Sequence, residues 1–139
     1  IRCRFDHPRE TLAQLFMRLV FNILCGNTDD HARNHAAFWN GKTLSLTPAY
    51  DICPQNRTGN EATQAMLISD NNRLSNLKSC LAAAPHFQLS VVEAKEIFDS
   101  QCEAIEVHWG KVCDEAKLSV VDRKLFWQRQ FLNPFLFEG

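Results

Sequence analysis

The sequence predicts a mainly α fold, helical with one small β-hairpin beside a polar loop. Three observations carry that prediction. Apolar residues recur at helical spacing between residues 9 and 25, the pattern of a half-buried helix. Ser90-Val91-Val92-Glu93 is a capping box that opens a long apolar stripe. The one strong hairpin signal, Asn40-Gly41, lies between short segments of strand character.

The first helix spans residues 9 to 25, with Leu12, Leu15, Phe16, Leu19, Val20 and Ile23 on its apolar face. Gly26 stops it, because glycine tolerates the left-handed conformation of a helix end. A polar loop, Asn27 to Asn34, follows directly. The hairpin covers residues 36 to 46 and returns the chain to Thr47-Pro48-Ala49-Tyr50-Asp51. Residues 52 to 65 hold Pro54, Asn56, Gly59 and Asn60 and read as an exposed loop. A helix is predicted over Arg73 to Ala84, closed by Pro85. The long helix after Ser90 aligns Ala94, Ile97, Phe98, Cys102, Ile105, Trp109, Val112 and Ala116 in one stripe. A last helix begins at Ser119 and runs to about Phe131, and Asn133-Pro134 breaks it. The three tryptophans read as packing residues. Joint exposure of Phe131, Phe135 and Phe137 would mark a partner surface.

At 139 residues the chain suffices for one domain with a real core. A hydrophobic fraction of 45% excludes a disordered segment. The net charge of −1 argues against a dedicated nucleic-acid surface, which shows as a basic excess. No apolar run reaches the roughly 18 residues of a membrane span, and no signal peptide is present. The six cysteines form no C-x-x-C pair, so they read as free thiols in a reducing cytoplasm, with Cys25, Cys102 and Cys113 as small core residues.

The chemistry is concentrated in Gly26-Asn27-Thr28-Asp29-Asp30-His31-Ala32-Arg33-Asn34. Asn34 follows Asp29 by five residues and Asp51 follows Asn34 by 17. This is the order of base Asp, metal-binding Asn and metal-binding Asp in protein kinases. Asp29 is the candidate general base for a substrate hydroxyl. Asn34 and Asp51 offer the oxygen ligands that Mg²⁺ requires. Asp30 points away from Asp29 and is read as a structural acceptor, orienting His31. His31 is placed to donate to a phosphate oxygen or to act as a satisfied loop residue. Tyr50 is placed in the core or beside a nucleotide.

In these residues the chain resembles the HipA family of serine/threonine kinases, toxins of bacterial toxin–antitoxin pairs. The resemblance lies in F-N-I-L-C-G-N-T-D-D-H-A-R-N-H, residues 21–35, and L-T-P-A-Y-D-I, residues 46–52, and extends over about residues 10 to 52. It implies a protein-kinase-like C-terminal lobe over residues 1–139. Asp29 would be the catalytic residue, Asn34 and Asp51 the Mg²⁺ ligands, and His31, Asn34, Tyr50 and Asp51 the ATP contacts. It further implies a cytoplasmic enzyme that phosphorylates a protein substrate, with aminoacyl-tRNA synthetases as a target class, and is restrained by a small DNA-binding antitoxin.

Thr28 stands where many protein kinases carry an Arg that grips an activation-loop phosphate, and Ile52-Cys53 replaces Phe-Gly. No Gly-rich phosphate loop or Val-Ala-Ile-Lys-like strand is found in the sequence. The expectation is therefore a fragment without its N-terminal lobe, silent in catalysis alone. Two other functions fit the same residues. One is a metal-dependent phosphohydrolase using Asp29, Asp30, His31 and Asp51. The other is a non-catalytic partner-binding domain that uses the aromatic tail.

Overall fold

A computed structural model describes residues 1–57 and 59–138. Helix α1, Pro8–Leu24, starts on a proline at its first turn, where a missing N–H costs nothing. It buries Leu12, Phe16, Val20, Ile23 and Leu24. Gly26 ends it at φ +74°, as the sequence predicts. A Cβ there would also lie 2.6 Å from the Gln130 carbonyl oxygen, so glycine further admits the C-terminal segment.

Strands β1, Ala37–Trp39, and β2, Leu44–Leu46, form the antiparallel hairpin, pairing Ala37 with Leu46 and Trp39 with Leu44. Asn40 builds the turn by accepting from the Lys42 and Thr43 amides. The N-terminal segment adds to the hairpin: the Leu44 amide donates to the Arg4 carbonyl and the Asp6 amide to the Leu44 carbonyl.

Helix α2 is Leu77–Ala83, shorter than predicted. Asn76, not Arg73, sets its start, because the Asn76 side chain caps the Ser79 amide. Pro85 falls inside a following 3-10 turn, Ala84–Phe87. Helix α3, Val91–Glu115, opens on the predicted capping box: Ser90 and Glu93 bond each other's backbone amides, which holds the Glu93 carboxyl below its usual range. Its stripe is buried only in part. Ala94, Phe98 and Ile105 are core, whereas Val112 is 52% exposed and Ala116 is exposed. Cys113 takes the buried position in that last stretch. Helix α4 is Val120–Phe126, ending before the predicted Phe131. The chain then turns back, with Gln128 at φ +58° and its amide bonded to the Phe131 carbonyl.

The core lies between α1, α2 and α3. Phe16 packs edge-on against Phe87, at 5.3 Å, and is stacked near Phe98, at 6.1 Å. Leu136, in the 3-10 turn Pro134–Phe137, is fully buried in the same cluster. Trp109 and Trp127 pack together at 5.1 Å, but Trp39 is 58% exposed on the hairpin and is not a packing residue. Phe137 is exposed, whereas Phe131 and Phe135 are half-buried, so the three do not form the joint aromatic surface. All six cysteines are free, with Cys25 and Cys113 buried and Cys102 half-buried. No helix among the described residues is long and apolar enough to cross a membrane.

Candidate functional site

The polar loop begins as a continuation of α1. The Asn27 amide donates to the Asn22 carbonyl, and the Asn27 side chain donates to the Asn22 Oδ1 at 3.0 Å. Both asparagines are buried, so each needs a partner. The same Asn27 Nδ2 lies 3.4 Å from the Asp51 carbonyl oxygen. One buried amide thus joins the loop after α1 to the loop after β2.

Three further bonds hold the loops together. The Tyr50 hydroxyl donates to the Arg33 carbonyl at 2.7 Å. The Gln55 amide donates to the Gly26 carbonyl at 3.0 Å, and the Ala65 amide to the Thr28 carbonyl at 2.9 Å. The predicted loop over residues 52–65 contains no helix or strand among its described residues; Thr58 lies outside them.

Between these ties the candidate side chains are placed unequally. Asp29 is exposed, and its carboxylate makes no hydrogen bond or ion pair among the described residues. Asn34 is buried in a 3-10 turn, Ala32–Asn34, and its Nδ2 approaches the Asp29 carbonyl at 3.4 Å. That orientation commits the nitrogen and leaves the side-chain oxygen as the free group. Asp51 is exposed and sits at φ +57°, a left-handed backbone that is costly for a non-glycine residue. Tyr50 is exposed rather than core, and its hydroxyl is engaged with the Arg33 carbonyl.

Asp30 differs from its neighbour. It is 5% exposed, and its Oδ1 is 2.9 Å from His35 Nε2. It therefore orients His35, not His31, because the buried Asp30 carboxylate meets the His35 ring. His31 is half-buried, with Nδ1 shut from water and unpartnered among the described residues. Arg18, on α1, supplies positive charge near Asp30, and its guanidinium donates to the Thr47 carbonyl. Burial lowers the Arg18 pKa and Asp30 opposes that shift. Arg18 thus interacts with both loops.

Among the described residues, no three His, Cys, Asp or Glu side chains come together to hold a metal ion. The four-residue set of a phosphohydrolase is not gathered, since Asp30 is turned into the interior. Mg²⁺ bound with a nucleotide asks less of a protein: one or two oxygen ligands, with phosphates and water completing the shell. The Asn34 oxygen and the Asp51 carboxylate are hard oxygen donors of the kind that requirement names.

A family model of the HipA-like C-terminal domain matches residues 1–109. The chain belongs to the HipA-like C-terminal domain family. The match covers both loops, the hairpin, α1, α2 and most of α3, well beyond residues 10 to 52. No curated protein and no solved structure matches the chain.

Sequence reasoning missed Asn22, Asn27, Arg18 and His35. A signal existed for the first: Asn22 interrupts the apolar run Phe21-Asn22-Ile23-Leu24, and a polar residue on a buried face requires a partner.

Proposed function

We propose that this HipA-like domain supplies the base and the metal ligands of a serine/threonine protein kinase that transfers the ATP γ-phosphate to a protein hydroxyl. The observation that carries the reading is the tie between the two loops. Asn27 bonds the Asp51 carbonyl and Tyr50 bonds the Arg33 carbonyl, while the exposed Asp29 and Asp51 carboxylates have no partner among the described residues.

In the proposed reaction the Asp29 carboxylate accepts the proton of the serine or threonine hydroxyl. The hydroxyl oxygen bonds the γ-phosphorus as the bond from that phosphorus to the bridging oxygen breaks, and ADP leaves with the electron pair. Asn34 and Asp51 would hold Mg²⁺, which neutralises charge on the phosphates when bound. Tyr50 fixes the turn that presents Asp51, and His31 would donate to a phosphate oxygen. In this reading a Gly-rich loop and a clamping Lys, which are not found in this sequence, would come to the nucleotide from outside it. A toxin–antitoxin setting, an aminoacyl-tRNA synthetase as target, a small DNA-binding antitoxin as partner and a cytoplasmic location complete the proposal.

The test is phosphate transfer from labelled ATP to protein by the full-length protein, with and without Asp29→Asn. The expected loss is about 10²–10⁴-fold, the range for removing a general base, with the melting temperature unchanged because Asp29 is exposed. Equal labelling by both proteins would remove Asp29 from the mechanism.

A further inference from the structure

Between the polar loop, α1 and the 3-10 turn after α2 lies a cavity of about 320 Å³, whose lining includes Asp30 but not Asp29. That volume is at the lower end for small-molecule sites. Its walls are mainly apolar: Leu19 from α1, Met66 from the segment after the long loop, and Phe87 from the 3-10 turn after α2. One end is different, because Asp30 and His35 line it. Asp30 is 5% exposed, and of its two carboxylate oxygens only Oδ1 is hydrogen-bonded among the described residues. A carboxylate accepts at both oxygens, so one acceptor of Asp30 remains open to a ligand.

We propose that this cavity binds a small arylalkyl amine, with its apolar body against Leu19, Met66 and Phe87 and its nitrogen donating to the free oxygen of Asp30. The apolar walls select the body. The carboxylate selects a charged N–H donor over a neutral hydroxyl, since charge-assisted hydrogen bonds are the stronger kind. The His35 contact fixes the Asp30 rotamer and so the direction in which the free oxygen accepts. None of Asp29, Asn34 and Asp51 lines this cavity, so the proposal holds whether or not the protein transfers phosphate.

The sequence has two methionines, which gives an internal control. Met66 lines the cavity, whereas Met17 lies on α1 next to Glu93 and Gln101, away from it. In protein labelled with ¹³C at the methionine methyls, phenethylamine is expected to shift the Met66 resonance saturably and leave Met17 in place. 2-Phenylethanol, the neutral match, is expected to bind about fivefold more weakly. Asp30→Asn should erase that preference, and Leu19→Trp, which fills the cavity, should abolish both shifts. An undisturbed Met17 resonance in each variant reports that it is folded. The proposal is overturned if neither probe moves Met66, if the two probes bind wild type equally, or if Leu19→Trp still binds.

Discussion

The two loops and the helical core are held by different forces. Around Phe16 the core is a redundant apolar cluster, in which Phe87, Phe98, Val20 and Leu136 share the packing. Dispersion contacts are individually small, so position there is fixed by their number. The loops have no such cluster. Individual hydrogen bonds hold them, from Asn27 to Asp51, Tyr50 to Arg33, and Gln55 to Gly26. The difference has a chemical reason. Under the proposed function, carboxylates that are to meet a cation and a hydroxyl must stay exposed, so burial would not anchor the segments that carry them; backbone carbonyls are anchored instead.

The largest stability effect should come from the core. Phe16→Ala is expected to cost about 3–5 kcal/mol, read by chemical denaturation, because it removes a fully buried ring together with two ring partners. A cost below about 1 kcal/mol would mean that the cluster closes over the gap. Gly26→Ala tests the junction of the two regions. It places a Cβ against the Gln130 carbonyl at a positive φ and should cost about 3 kcal/mol. Asn27→Ala should cost less, about 1–3 kcal/mol, by leaving the Asn22 side-chain oxygen unpaired. Its effect on phosphate transfer should exceed its effect on folding, since it also frees the Asp51 backbone; parallel losses of both would show that the tie is merely structural.

The smallest effect is a pH dependence carried by the thiols. Burial pushes Cys25 and Cys102 up to about 11 and Cys80 up to about 12. Each thiol stays protonated in the folded protein while the unfolded chain loses its proton from about pH 9 upwards. The stability they contribute is therefore present below pH 9 and declines from there to about pH 11–12. Thermal melts across that interval should fall for the wild type and fall less for Cys80→Ala. At pH 8 the exposed Cys3 and Cys53 should alkylate first, and mass spectrometry reads the order.

Much of the fold was legible because its signals are local. The capping box at Ser90 and Glu93, the glycine after α1 and the Asn40-Gly41 turn act over three or four residues, and each lies where the sequence puts it. Helix ends were less legible. Asn76 caps α2 three residues after the predicted start, and α4 unwinds at Trp127, where the chain turns back to bring Phe131 to Trp109. The first is a local cap that the apolar pattern does not reveal, and the second follows from a contact with a distant residue. The stripe on α3 was overextended for the same reason: period fixes which residues share a face, not how far the neighbouring elements reach along it.

The order Asp29, Asn34 and Asp51, and the helix and hairpin that flank it, are properties of the sequence itself, because spacing, capping and turn chemistry operate along the chain. The tertiary structure decided which of two adjacent aspartates faces out, that Asp30 takes His35 as its partner, and that Asn27 reaches across 24 positions to the Asp51 carbonyl. Those choices depend on which buried polar groups meet across the interior, and only the packed chain brings them within hydrogen-bonding distance.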